Sequence, residues 1–155
     1  MKSFFVKYED TKKVNKPWGH ELWIASDVNN STYALKEIFI KTGFKTSYQF
    51  HEFKEECNYI ISGEGTLLLS DDKIDLNKYK EQKYNENELK KIIENLKPYK
   101  LFKGSSFHIQ PLYVHSVISE KNLTMIESSS LHLDDVFRLY DEHGRGHGKI
   151  DEEHT

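Results

Sequence analysis

The chain has 155 residues, of which 37% are hydrophobic and 30% are charged, and its formal net charge is −3. This length suits one domain with its own core, and the weakly acidic balance gives no general attraction to nucleic acid or to anionic membranes. Cys57 is the only cysteine, which excludes an intrachain disulfide. Because no signal-like or membrane-spanning apolar run is present, the sequence predicts a cytoplasmic protein with a single domain over 1–155.

The first third of the chain predicts short strands joined by turns. In order, these are an edge strand over 3–8, a bend at 17–19, a strand over 21–25, a turn at 27–31 and a strand over 33–40. Side chains two apart on a strand share a face, so Ala34, Lys36 and Ile38 are predicted to lie together. Whether this face points into a barrel or out to solvent decides what Lys36 can do.

The remaining predicted strands are short as well. They lie over 48–51, 56–61, 66–70, 107–109, 115–118 and 123–127, with a tight turn at 63–65, a turn at Pro111 and a flexible tail over 147–155. Many short strands separated by turns are typical of an all-β barrel or sandwich.

A lysine- and glutamate-rich stretch over 71–100 interrupts this pattern. Its second half predicts a helix, because Asn85 is a candidate N-cap with Glu88 three residues later and apolar residues follow at helical spacing over 89–96. Pro98 ends that pattern. We interpret the stretch as a mainly helical insertion that covers one end of the barrel or pads a subunit contact. A lid over a pocket is the alternative interpretation.

Four residues form a candidate metal site. Gln49 and His51 share one face of a predicted strand, and Glu56 begins the next strand across a polar turn. His115 returns from far along the chain. Amide oxygen, imidazole and carboxylate groups suit a divalent ion such as zinc, manganese, cobalt, nickel or iron(II). Gln49 and His51 would be ordinary polar strand residues otherwise, but Glu56 and His115 fall where a barrel would bring all four together.

These residues resemble the two sequence motifs of the cupins. The first motif matches Gly43, Gln49, His51, Glu56 and Gly63, and the second matches Pro111 and His115. A glutamine at the first ligand position, where most cupins have histidine, is similar to the mannose-6-phosphate isomerases. Three further stretches resemble the cupin domain of the type II enzymes of that branch, at 16–19, 47–51 and 134–145. The resemblance covers most of 14–70 and 101–146.

The resemblance implies a cupin-type jelly-roll β-barrel that holds a divalent metal on the four ligands above, with zinc as the first choice. It also implies a homodimer paired through edge strands, for which Phe4, Phe5 and Val6 are the candidates. The implied small-molecule partner is a sugar phosphate.

The same resemblance gives roles to residues beyond the metal ligands. Lys36 is the candidate acid or base, since apolar surroundings lower the pKa of a lysine. Arg138 is the candidate phosphate-binding and catalytic residue, because a guanidinium binds oxyanions bidentately; a salt bridge to a nearby aspartate is the alternative. Trp18 and Tyr113 are candidates for contact with the sugar, although Trp18 would serve equally as core. Other candidates for proton transfer are Lys54, Glu56, Tyr113 and His20.

The predicted function is therefore aldose–ketose isomerisation of a sugar phosphate, in carbohydrate or surface-polysaccharide precursor metabolism. Such a reaction moves a proton between two carbons and needs both a base and stabilisation of the developing oxygen charge. The alternative is a non-catalytic metal-binding cupin that binds a sugar or a nucleotide sugar. An iron(II) dioxygenase is a third interpretation, which the glutamine in the ligand set disfavours.

Overall fold

The computed structural model describes residues 2–140 and 148–149, whose strands form one curled antiparallel sheet. The strands are β1 Lys12–Lys16, β2 Gly19–Ala25, β3 Ala34–Ile40, β4 Tyr48–Phe50, β5 Glu56–Lys73, β6 Lys97–Leu101, β7 Ser106–Ile109, β8 Tyr113–Ser129, β9 Phe137–Tyr140 and β10 Gly148–Lys149. Two short helices, α1 Leu76–Lys80 and α2 Glu86–Glu94, interrupt them. The predicted all-β jelly-roll architecture is confirmed.

Two long strands, β5 and β8, run antiparallel through the middle of the sheet. Their pairing extends from Glu56 opposite Ser129 to Lys73 opposite Tyr113. The other edge of β8 pairs with β3 along one half and with β4 at His115. The sequence predicted two short strands in place of each long one, and this was wrong. The sheet curls through irregularities in continuous strands instead of through turns between separate ones.

Gly63 is one of the places where β5 bends. The pairing of β5 with β8 shifts register three times between Ile60 and Gly65, which marks bulges instead of the predicted tight turn. Gly63 has a φ of +87°, and a Cβ there would lie 2.2 Å from the carbonyl oxygen of Asn122. Only glycine combines this backbone conformation with such a close approach of the neighbouring strand.

Gly63→Ala is therefore expected to lower the free energy of unfolding by about 2–4 kcal/mol, because strain at positive φ adds to a clash with backbone that cannot move aside. Gly43→Ala is the matched control. Gly43 has a φ of +84°, but nothing lies within 4 Å of the position its Cβ would take. Its substitution is expected to cost only about 1 kcal/mol. Urea denaturation of both variants measures the difference, and equal losses would contradict the bulge assignment.

The interior of the barrel is filled by apolar side chains from facing strands. Along β3, burial alternates so that Ala34, Lys36, Ile38 and Ile40 are buried, which confirms the predicted face. The interior cluster comprises Trp18, Ile38, Ile40, Ile60, Leu67, Leu101, Phe107, Ile109, Val117, Leu123 and Met125. Several members of this cluster, among them Trp18, Ile38 and Phe107, also line a polar cavity.

The insertion is shorter than predicted, because β5 runs on to Lys73 and β6 begins at Lys97. The predicted capping box is present: the side chain of Asn85 accepts from the backbone N–H of Glu88, and the Glu88 side chain accepts in return. Only 74–96, which contains both helices, leaves the sheet.

The two helices cover the outer face of β4, β8 and β9. Phe50 and Phe137 stack there with ring centroids 5.1 Å apart, and Tyr79 of α1 meets the Phe50 ring edge-on at 5.0 Å. Apolar side chains of α2 join the same cluster. Among the described residues, those that line the central cavity include none from 76–94. The insertion therefore covers a sheet face, and the lid interpretation has no support from its position.

The N-terminal edge strand predicted over 3–8 is absent from the described chain. A short 3-10 turn lies at Tyr8–Asp10, and the first strand is β1. Phe5 is 85% exposed, and Phe4 and Val6 are exposed as well. Within the described residues, β1 is the terminal strand of the sheet and pairs with β2 alone, so 3–8 adds no strand to its free edge. The homodimer stays a prediction.

At the C-terminal end, only 148–149 of the predicted tail over 147–155 is described, and it pairs with β9 as β10. The rest of that tail, and 141–145 of the stretch that resembles the type II enzymes, lie outside the described residues. No helix within the described ranges is long and apolar enough to span a membrane.

Candidate metal centre

Three strands bring the predicted metal ligands to the inside of the barrel. Gln49 lies on β4 with His51 just after it, Glu56 begins β5, and His115 lies near the start of β8. Gln49 is directly opposite His115, so their side chains share a face. His51 is 1% exposed, His115 3% and Glu56 8%. All four residues line one buried cavity.

Two imidazole nitrogens and one carboxylate converge in this cavity. The Nε2 atom of His51 lies 3.9 Å from one carboxylate oxygen of Glu56, and the Nε2 atom of His115 lies 3.6 Å from the other. Both distances are too long for hydrogen bonds. Ligand atoms bound to one ion at about 2.1 Å lie roughly 3–4 Å from each other. One potential ligand atom from each of these three residues lies within 4.8 Å of the other two.

Backbone carbonyls orient both histidine rings. The Nδ1 atom of His51 lies 2.6 Å from the carbonyl oxygen of Asp135, and that of His115 lies 3.0 Å from the carbonyl oxygen of Tyr113. Because a carbonyl only accepts, Nδ1 carries the proton and Nε2 keeps its lone pair. Neither Nε2 has a hydrogen-bond partner in the described part of the chain. Two buried lone pairs beside a carboxylate fit a divalent ion.

The protonation states of His51 and Glu56 also favour metal binding. Burial, together with the nearby charges of Lys54 and His115, holds the pKa of His51 well below its usual value. Burial raises the pKa of Glu56, but Lys54 and His115 outweigh that effect and lower it. A neutral imidazole and an ionised carboxylate are the forms that bind metal.

Lys54 connects this centre to Glu127, a residue that the sequence analysis missed. The Lys54 ammonium lies 3.0 Å from Glu56 and 2.9 Å from Glu127. Burial lowers the pKa of Lys54, but these two carboxylates raise it above its usual value overall. Glu127 is the residue of β8 opposite Lys36 and Asn58. A glutamate at an inward position of a predicted strand was the only sequence signal for it.

Lys36 faces the same cavity, so the outward-facing interpretation was wrong. Its surroundings are not apolar, because its ammonium lies 3.1 Å from Glu21 and 4.5 Å from the centre of the Trp23 ring. The indole N–H of Trp23 also donates to Glu21, at 2.9 Å. By contrast, His20 packs against the ring of Phe39, 5.2 Å away, and is not among the described residues that line the cavity.

Asp135 fixes the loop that carries His51, a role that the sequence analysis also missed. Its carboxylate accepts backbone N–H groups from Glu52 at 3.0 Å, Phe53 at 2.6 Å and Lys54 at 2.9 Å. Burial raises the pKa of Asp135, but these hydrogen bonds outweigh that effect and lower it. The backbone carbonyl of Asp135 also accepts from Nδ1 of His51, so Asp135 holds both the imidazole ring and the turn that follows it. Its place in the acidic stretch before β9 was the available signal.

The predicted sugar-contacting residues are placed differently from one another. Trp18 lines the cavity and also belongs to the apolar interior cluster. The carbonyl of Tyr113 orients His115, but its side chain is not among those that the described chain contributes to the cavity wall. Arg138 on β9 is buried directly opposite Gln49, outside that wall. Their roles toward a substrate stay predictions.

The cavity is small and carries an unbalanced charge. Its volume is about 50 Å³. Three carboxylates and two ammonium groups line it, which leaves one net negative charge when the histidines are neutral. The charged wall residues are Glu21, Glu56, Glu127, Lys36 and Lys54. An excess of buried negative charge beside two free imidazole lone pairs favours a cation.

Comparison with known proteins establishes the fold. No protein-family model matches the chain, and no curated protein matches it. Among solved structures, it is similar to the capsular polysaccharide assembling protein CapF from Staphylococcus aureus, with 13% identity, a TM-score of 0.61, and coverage of 84% of this chain and 32% of that one. Ectoine synthase from P. lautus gives 13% identity and a TM-score of 0.60, covering 83% and 78% of the two chains.

Oxalate decarboxylase from Bacillus subtilis is a third similar structure, with 14% identity, a TM-score of 0.63, and coverage of 86% of this chain and 31% of that one. The chain thus spans about a third of the length of CapF and of this decarboxylase. All three are cupin-fold proteins, and this chain has the cupin fold. The resemblance to mannose-6-phosphate isomerases stays a prediction.

Proposed function

We propose that this chain is a metal-dependent cupin that interconverts aldose and ketose phosphates. One observation carries the proposal: the Nε2 atoms of His51 and His115 are buried, have no hydrogen-bond partner in the described chain and face the Glu56 carboxylate. Gln49, opposite His115, would be the fourth ligand. An ion bound there would supply Lewis-acid stabilisation of the oxygen charge that develops as the proton moves.

The size of the cavity limits what can enter it. A volume of about 50 Å³ is well below the roughly 300–1,000 Å³ of pockets that enclose a whole small-molecule ligand, so we propose that a hexose phosphate is not enclosed there as a whole. We propose that only the reacting carbonyl end of an open-chain sugar enters. The phosphate would remain outside this space, with Arg138 as its proposed partner.

Proton transfer falls to Lys36 in this proposal. Lys54 is held between two carboxylates that raise its pKa, so it is a poor proton donor or acceptor near neutrality. Lys36 also faces the cavity and forms an ion pair with Glu21. The pair therefore offers an ammonium as the proton donor and a carboxylate as the acceptor. We assign Lys54 the role of balancing the charge of Glu56, and the Lys36–Glu21 pair the role of proton transfer.

A saccharide pathway is supported by one of the similar structures, since CapF is described as a capsular polysaccharide assembling protein. That description belongs to a longer and distantly related chain. It supports a saccharide as the substrate class proposed here and says nothing about the reaction.

The test is turnover of mannose 6-phosphate by the purified protein, before and after treatment with a chelator and after return of zinc, manganese, cobalt, nickel or iron(II). Isomerisation is expected to disappear on chelation and return with at least one ion. Metal binding without turnover of any aldose phosphate in a screen would contradict the isomerase and favour the alternative below. Oxygen consumption by the iron(II) form would indicate a dioxygenase.

The second candidate function is a non-catalytic metal cupin that binds a sugar or a nucleotide sugar. The observation that favours it is that both cavity lysines, Lys36 and Lys54, already have carboxylate partners. A paired lysine contributes to a polar wall without needing to exchange its proton. Calorimetry separates the two candidates, because this one predicts saturable binding of a sugar phosphate with no product.

A further inference from the structure

Asn58 is a buried amide that finds no hydrogen-bond partner among the described residues. It lies on β5, two residues after Glu56, so both side chains point to the same side of the strand. Asn58 is 1% exposed and lines the same cavity as the metal ligands. Neither its amide nitrogen nor its amide oxygen has a partner within the ranges that the structure describes.

Its position separates the polar and apolar parts of the cavity. Across the sheet, Asn58 is opposite Glu127 on β8 and opposite Phe107 on β7. The next residue of β5 on the same side, Ile60, is fully buried in the apolar cluster. The amide therefore lies between the ion-paired carboxylates and the apolar cluster, where no side chain of the described part of the chain hydrogen-bonds to it.

A buried amide that lacks partners is unfavourable in the folded state unless a bound molecule supplies them. The carboxamide offers two N–H donors and a carbonyl acceptor. A hydroxyl both donates and accepts, and a carbonyl accepts. Adjacent hydroxyl and carbonyl oxygens therefore match both ends of the amide.

We infer that Asn58 is the residue that selects hydroxy-carbonyl substrates. Its amide oxygen accepts from the hydroxyl at C2, and its N–H donates to the neighbouring oxygen at C1. This inference rests on the proposed function and identifies the C1 and C2 oxygens as the part of the substrate that the site recognises.

The inferred contact also excludes a class of ligand. A small dicarboxylate such as oxalate offers only acceptors, so the amide oxygen of Asn58 would face a carboxylate without a proton between them. Glu56 and Glu127, on the same wall, add negative charge next to that position. The site is thus built for hydroxyl-bearing sugars and against hydroxyl-free dianions.

The test compares the metal-loaded wild type with Asn58→Leu, which removes both polar ends and keeps a similar size. Binding of mannose 6-phosphate, measured before it isomerises, is expected to weaken about 10- to 100-fold, as when a site loses hydrogen bonds to a substrate hydroxyl. Binding of 2-deoxyglucose 6-phosphate, which lacks the C2 hydroxyl, is expected to weaken about 5-fold or less. Asn58→Ala repeats the comparison in case leucine does not fit.

Metal content and thermal stability provide a second readout. Asn58→Leu is expected to keep full metal content and to raise the melting temperature of the metal-free protein, because an unsatisfied buried amide is removed. Ile60→Val is the matched control on the same side of the same strand. It is expected to leave both sugar affinities unchanged.

The outcomes distinguish this inference from the proposed function. Unchanged affinity for mannose 6-phosphate in both Asn58 variants, with wild-type binding intact, overturns the role of Asn58 alone and leaves it holding only water. An equal loss for both sugars overturns the C2 contact. A wild type that binds neither sugar overturns the proposed function, and the inference with it.

Discussion

His51→Ala is expected to abolish stoichiometric binding of a divalent ion and, with it, the proposed isomerase turnover. The substitution removes one of two buried Nε2 lone pairs that face Glu56, and no other described His, Cys, Asp or Glu side chain is grouped with this site to replace it. Loss of a residue that merely supports a ligand typically costs 10- to 100-fold in affinity, so loss of the ligand itself is expected to cost more than about 100-fold. Metal analysis after dialysis, together with competition against a chromogenic chelator, measures the change.

His108→Ala is the matched control for this prediction. His108 is exposed on β7 and lies 3.7 Å from the sulfur of Cys57, on the opposite side of the strands from the cavity. It is expected to leave the metal content unchanged. A His51→Ala protein that retains one tightly bound ion per chain would show that the ion lies elsewhere, and the proposed centre would be abandoned.

The candidate metal ligands could be predicted because local periodicity and two motifs specify them. Gln49 and His51 share a face by strand alternation alone. Glu56 and His115 each begin a predicted strand after a turn that the local composition indicates. The structure brings all four to one cavity. For these residues, the resemblance to the two cupin motifs supplied the long-range pairing that the local pattern lacks.

The polar partners of the site could not be predicted, because their meeting depends on register between strands. Lys54 meets Glu127 across 73 residues of sequence, and Asp135 reaches the turn after His51 across more than 80. Asn58 faces Glu127 only because β5 and β8 are aligned as they are. A shift of one residue in that pairing would move each side chain to the other face, and nothing in the local pattern of either strand sets it.

The bends of the long strands were misread for a related reason. Gly63–Gly65 contains two glycines, and such spacing is typical both of a tight turn and of bulges in a continuous strand. The two cases differ in what lies across from the glycine. Here the backbone of Asn122 on β8 approaches Gly63 too closely for any side chain, which the sequence around Gly63 does not reveal.

Lys54→Met is expected to be the most destabilising single substitution at the site in the metal-free protein. It keeps most of the length of the side chain but leaves Glu56 and Glu127 as buried carboxylates without their shared ammonium. Removing one partner of a buried ion pair costs about 3–5 kcal/mol, because the remaining charge has no compensation. Urea denaturation of the metal-free protein at neutral pH measures the loss.

Two further measurements separate loss of charge balance from loss of packing. Adding Glu127→Gln to Lys54→Met removes one of the two uncompensated carboxylates, so the double variant is expected to recover most of the lost stability. A saturating divalent ion is expected to stabilise Lys54→Met more than it stabilises the wild type, because the ion takes over the charge balance of Glu56 that Lys54 otherwise provides. If the double variant is no more stable than Lys54→Met, the ammonium contributes through packing instead. The buried lysine would then have no part in preparing Glu56 for a metal.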